Sequence, residues 1–138
     1  MSHIEEAQLK EIHGQFPTDW EIPSFHIDYW DGKTSAYCVI VPVINEGERI
    51  RDFVVRLEKL KIDTMADIII VDGGSDDGSL DYAFLRSHRI RGLLTKTGAG
   101  KLSAQLRVGY SFGLANRYEG LMTIDGNNKD DPSAIPGF

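Results

Sequence analysis

Four short apolar runs, each followed by polar or glycine-rich residues and most of them separated by helix-length stretches, restrict what this chain can fold into. Tyr37-Cys-Val-Ile-Val41 is continuous and β-branched, Asp67-Ile-Ile-Ile-Val71 repeats the pattern, Arg91 to Thr95 is a shorter run, and Gly120 to Ile124 is the last. Runs without polar alternation fit strands covered on both faces. Between the first two, Arg49 to Lys61 sets Ile50, Phe53, Val54, Leu57 and Leu60 at helical spacing, with Arg, Glu and Lys opposite. That spacing predicts a helix with one buried stripe. Ser79 to His88 and Lys101 to Asn116 predict two more. Strands that alternate with helices pair in parallel through right-handed crossovers. The expected fold is therefore α/β, a mostly parallel, doubly wound sheet flanked by helices, over residues 36–138.

The first 35 residues lack this regularity. Residues 4–15 carry Ile4, Leu9 and Ile12 among Glu, Gln and Lys, which predicts a short helix. The stretch from Phe16 to Gly32 contains two prolines, a glycine and five aromatic residues. Prolines and glycines break long elements, so residues 1–35 read as an N-terminal arm packed on the domain or on a partner chain. A ligand-facing aromatic surface is the alternative.

Charge and cysteine usage narrow the function classes. The net charge of -6 over 138 residues, with Lys and Arg scattered among acids, argues against binding to nucleic-acid backbones, which require basic patches. The lone Cys38 lies inside an apolar run and cannot form an internal disulfide, so a reducing, cytoplasmic setting is expected. The acidic start lacks the apolar core of a secretion signal, and no apolar stretch approaches the ~20 residues needed to span a bilayer. The four histidines have no metal-ligand spacing.

In doubly wound sheets ligands bind beyond the carboxyl ends of the strands. Three runs end there in residues capable of chemistry: Asn45 and Glu46 after the first, Asp72 after the second, Asp125 and Asn127 after the last. Each has a plainer reading. Pro42 can simply stop a strand, and Asn45 and Glu46 can begin a helix as cap and first-turn acid. Asp76 and Asp77 suit capping and solvated charge. Asp125-Gly-Asn-Asn128 is turn chemistry. Gly98-Ala-Gly-Lys101 is not a phosphate loop, because Thr95 stands where its first glycine is required.

Taken in order, Val-Ile-Val-Pro-Val-Ile-Asn-Glu46, Ile-Ile-Ile-Val-Asp-Gly-Gly-Ser-Asp-Asp-Gly-Ser79, a glycine-bearing helix and the loop led by Asp125-Gly-Asn127 resemble the family 2 glycosyltransferases. The branch containing dolichol-phosphate mannosyltransferase looks closest, and the likeness runs from about Tyr37 to Phe138. The resemblance implies a Rossmann-like GT-A fold, here its nucleotide-sugar-binding half. It implies that Pro42, Asn45 and Glu46 line the nucleotide pocket and that Asp72 recognises the base. Gly73 stands where the family often has a second Asp and is expected to free the turn. Gly100-Lys101-Leu-Ser-Ala104-Gln-Leu-Arg107-Val-Gly109 looks like the family's small-residue helix beside the nucleotide. There Lys101 or Arg107 meets the diphosphate or base, or faces solvent.

Asp125 and Asn127 match the family's Asp-x-Asp, which implies a divalent cation, Mg²⁺ or Mn²⁺, on oxygen ligands. Asn127 removes one negative charge, and Lys129 stands where that branch often carries Gln. Either the metal is held more weakly, helped by Asp130 or Asp131, or Lys129 partly replaces it. The implied reaction is inverting transfer of a sugar from a UDP- or GDP-sugar to an acceptor that the sequence does not name, a polyprenyl phosphate or a glycan being two candidates. No catalytic base is expected within these residues. It should lie downstream of Phe138, so the chain is expected to be an inactive fragment. Membrane association through later sequence, at the inner face, and self-association stay open. The alternative function is a non-catalytic nucleotide-sugar-binding or interaction domain.

Overall fold

The computed structural model describes residues 3–128 and 132–137. Lys129, Asp130, Asp131 and Phe138 lie outside the described residues. The order of elements is α1 (His3–Gln15), β1 (Phe25–Trp30), β2 (Tyr37–Val43), α2 (Glu48–Lys59), β3 (Asp67–Asp72), α3 (Tyr82–Ser87), β4 (Gly92–Lys96), α4 (Leu102–Ala115) and β5 (Gly120–Thr123), with short 3₁₀ turns at Thr18–Trp20, Ile62–Thr64 and Pro132–Gly137.

The strands form one sheet in the order β1-β4-β3-β2-β5. β2 pairs in parallel with β3 and β5, and β3 in parallel with β4. From β2 the chain steps outward to β3 and β4, then returns past its starting strand to β5. The reversal falls between β2 and β5, so the switch point of this Rossmann-like sheet lies where Val43 and Thr123 end.

Successive side chains of a strand point to opposite faces, and the two cores follow that alternation. Val39, Val41, Val43, Ile68, Ile70 and Leu93 pack against Ile50, Phe53, Val54 and Leu57 of α2 and Leu85 of α3. Cys38, Ile40, Ile69, Val71 and Leu94 pack against Val108 and Phe112 of α4 and Ile12 of α1. Removing so much aliphatic surface from water on both faces is the main stabilising term, at about 25 cal/mol per Å² of apolar area. α4 approaches unusually closely: a Cβ on Gly109 would meet Ile40 Cγ2 at 2.4 Å, and one on Gly113 would meet Leu121 Cδ2 at 2.2 Å. The small residues of this helix are there for packing.

The N-terminal segment departs from expectation. Phe25–Trp30 is a strand that runs antiparallel to β4 and extends the sheet, with Phe25 opposite Lys96 and Trp30 opposite Gly92. Its alternation is broken by a bulge between Ile27 and Tyr29, which pair with the adjacent residues Leu94 and Leu93. That irregularity hid it from a period-two reading. α1 is tied to the same strand, since Glu5 Oε1 accepts the Ile27 N–H at 3.0 Å. Among the described residues no helix is long and apolar enough to cross a membrane.

Candidate functional site

The carboxyl ends of β2, β3 and β5 are stitched together by backbone bonds. Gly73 N donates to Val43 O at 2.8 Å and Gly126 N to Pro42 O at 3.2 Å, so the turns after β3 and β5 both lean on the end of β2. Gln105 of α4, 4 % exposed, completes the seam: its Nε2 donates to Val43 O at 2.8 Å and to Val71 O at 3.1 Å. A buried amide that satisfies two strand-end carbonyls fixes α4 against the edge. Sequence reasoning passed over Gln105, although a Gln on the largely apolar inner face of that helix is a readable signal.

Gln105 also explains Gly73. A Cβ there would lie 3.0 Å from Gln105 Cδ and Nε2. The expectation that Gly73 frees the turn is therefore corrected: Gly74, at φ +110°, is the residue in glycine-favouring backbone, while Gly73 makes room for the amide.

Asp72 ends β3 and is 5 % exposed. Its Oδ1 accepts Ser75 N at 2.9 Å and Ser75 Oγ at 2.6 Å, and Ser75 N also lies 3.0 Å from Oδ2. One serine thus orients the carboxylate and leaves acceptor capacity on Oδ2. Ser75 reaches the next loop too, since its Oγ accepts Asn45 N at 2.9 Å.

Asn45 sits in left-handed backbone, φ 46°, and its Oδ1 accepts Asp76 N at 3.0 Å. It bridges two loops and does not cap a helix. The cap of α2 is Gly47, whose N–H donates to Asp77 Oδ2 at 3.1 Å. Asp77 also accepts Ser79 N and Ser79 Oγ at 3.0 and 2.6 Å, and these bonds hold its carboxyl below the usual range. The capping expectation for Asp76 and Asp77 gives way to Asp81, which accepts Ala83 N at 2.9 Å where α3 actually begins. Glu46 pairs with Arg49 at 3.1 Å, and its side chain is 12 % exposed.

On the β5 side, Asp125 Oδ1 accepts Asn127 N at 3.0 Å. Gly126 between them is buried, and a Cβ there would stand 2.5 Å from Val43 Cγ1. The following Asn128 accepts from Arg56 Nη1 at 2.6 Å, which anchors the loop to α2. Asp125 and Asn127 are both half-buried. One carboxylate and one amide oxygen suit Mg²⁺, which commonly takes one or two protein oxygens and fills its other positions with water and phosphate. Among the described residues no group of three His, Cys, Asp or Glu side chains could hold a metal ion.

The two basic residues of α4 part company with this cluster. Lys101 is exposed at the helix start and makes no side-chain capping bond. Arg107 donates from Nε to Glu21 O at 3.1 Å and from Nη1 to Ser103 Oγ at 2.9 Å. It lines an apolar cleft of about 330 Å³ with Trp20, Ile22, Tyr110, Leu114 and Leu121. Arg107 is thus turned toward the N-terminal segment. Lys96, at the end of β4 and 9 % exposed, donates to Gly98 O at 2.7 Å.

The edge thus gathers Pro42, Asn45, Glu46, Asp72 and Gly73 through direct hydrogen bonds between their loops, with Asp125 and Asn127 joined to them through Pro42 and Gly126. The arrangement is rich in fixed oxygen acceptors, suited to a ligand that offers N–H or O–H donors or brings its own cation. No protein-family model, curated protein or solved structure matches the chain.

Proposed function

We propose that this chain is the donor-binding part of a nucleotide-sugar-dependent glycosyltransferase of the GT-A kind. One observation carries the reading: the loops after β2, β3 and β5 meet at the switch point of the sheet, each bringing an oxygen-bearing side chain to one edge. That is the location at which open α/β sheets bind nucleotides. In this reading Asp72 accepts a base or ribose proton on Oδ2, Glu46 and Asn45 border the ribose, and Asp125 with Asn127 would hold a divalent cation beside the diphosphate. When bound, that cation supplies Lewis-acid neutralisation of the charge on the departing nucleoside diphosphate. The chain's own residues orient the donor so that its anomeric carbon is open to in-line attack by an acceptor hydroxyl or phosphate, with inversion. A cytoplasmic setting suits the free, buried Cys38.

A second reading is a nucleotide-sugar-binding or interaction domain without turnover. Asn127 favours it, because an amide in place of a carboxylate weakens the hold on a cation. Titration calorimetry with UDP- and GDP-sugars, with and without Mn²⁺, separates the two. Donor binding strengthened by Mn²⁺ supports the transferase, metal-indifferent binding supports the second reading, and no nucleotide affinity sinks both.

A further inference from the structure

At the level where β3 ends, Asp72 on β3 is the register partner of Thr95 on β4. By strand alternation both side chains lie on the face covered by α2 and α3, as Ile70 and Leu93 do. Thr95 Oγ1 donates to Asp28 Oδ2 at 2.5 Å, and Tyr82 OH donates to Asp28 Oδ1 at 2.9 Å. A chain of contacts therefore runs from the base-reading position Asp72 across β4 to Asp28 of β1, then up to the ring of Tyr82 at the start of α3. Asp28 reaches this position because the β1 bulge falls at it, and bulges commonly re-aim side chains beside binding sites.

Tyr82 is unusual in being both pinned and exposed. Its hydroxyl is fixed by Asp28, and its ring is backed by Tyr29 at 5.8 Å between centroids, yet the residue is 44 % exposed. A surface tyrosine normally spends its rotamer freedom when a ligand arrives, and here that freedom is already spent.

We propose that Tyr82 is the stacking platform for the nucleobase of a nucleoside diphosphate bound at this edge, with Asp28 as the positioning residue that holds its ring. The proposal rests on the donor-site reading above and extends it to a wall built by β1 and α3. Aromatic stacking contributes about 1–3 kcal/mol per base. Asp72 offers only acceptors, so the matching base turns an N–H donor toward it, as guanine can from N1 and N2 and uracil from N3. Burial, the bond to Asp28, and the charges of Asp28 and Asp72 all raise the Tyr82 phenol. It therefore stays protonated and keeps donating to Asp28 near neutral pH.

Calorimetry on the full chain tests this with GDP, UDP and inorganic pyrophosphate as probes. Tyr82→Ala should weaken whichever of GDP or UDP binds by about tenfold, leaving pyrophosphate binding unchanged. Tyr82→Phe keeps the ring and should recover most of that loss. Asp28→Asn should fall between the two. A Tyr82→Ala variant that binds GDP and UDP like the wild type overturns the platform while leaving the donor site standing. Equal weakening of pyrophosphate, or no recovery in Tyr82→Phe, also overturns it. A wild type that binds no nucleotide overturns both readings.

Discussion

β3 carries a buried aspartate at each end, and the two are used in opposite ways. Asp67, 1 % exposed, receives Thr34 N at 2.7 Å, Thr34 Oγ1 at 2.5 Å, Ser35 N at 3.2 Å and Tyr118 OH at 2.6 Å. Donors from two separate segments saturate it, the connection before β2 and the one before β5. Asp72 is oriented by Ser75 and keeps acceptor capacity. A buried charge is stable only when its lone pairs are satisfied, so the amino end is a closed structural node. The carboxyl end retains capacity for a ligand. The same residue type on the same strand thus differs in how many protein donors meet it, and under the donor-site proposal that difference separates architecture from recognition.

The comparison is broken most forcefully at Asp67. Replacement by Ala strands a buried hydroxyl and two backbone N–H groups and should lower stability by about 2–4 kcal/mol in denaturant titration, with any nucleotide affinity of the folded fraction unchanged. Asp72→Ala should do the reverse. A loss of about tenfold in affinity for nucleoside diphosphate, roughly 1.4 kcal/mol, should come with a smaller change in Cm. Equal stability losses in the two variants would erase the distinction.

Alkali probes the closed node. Burial, then the hydrogen bond to Asp67 and its charge, raise the Tyr118 phenol well above its ordinary value of 10.0. Burial likewise pushes the Cys38 thiol from 9.0 up to about 12, with Asp67 adding to the rise. The folded protein therefore holds these protons more tightly than the unfolded chain. Their contribution is intact below about pH 9 and is lost as pH climbs above the unfolded values. Tm measured from pH 8 to 11 should fall across that window, and Tyr118→Phe should flatten part of the decline. Asp76→Ala should have the smallest effect, under about 0.5 kcal/mol, because the residue is exposed and gives its backbone N–H to Asn45.

The strand and helix alternation from Tyr37 onward was legible because each element there carries its own period: β-branched runs for β2 and β3, a stripe of Ile50, Phe53, Val54 and Leu57 for α2. The carboxyl edge was legible for the same reason, since polar residues follow where apolar runs stop. β1 was not, because its bulge breaks the alternation and its partner Leu94 is remote in sequence. Gln105 stood out only as a polar residue on the inner face of α4, since its role exists only once α4 lies across the ends of β2 and β3. Arg107 looked suitable by position along the helix, but helical rotation and the carbonyl of Glu21 draw it elsewhere. Local pattern reveals elements and strand ends, whereas which side chains meet depends on contacts between distant segments.

The antiparallel entry of β1 has a consequence for the order of assembly. Asp28 and Thr95 are 67 residues apart in sequence. During synthesis β1 emerges before every other strand, yet it has no sheet neighbour until β4 exists. Contacts of such long separation close slowly, so the wall that carries Asp28 should form late, as should the pairing of β5 with β2, which spans still more of the chain. Amide exchange should then show β1 opening before the central strands β2 and β3, which ties the readiness of this wall to the docking of the N-terminal segment.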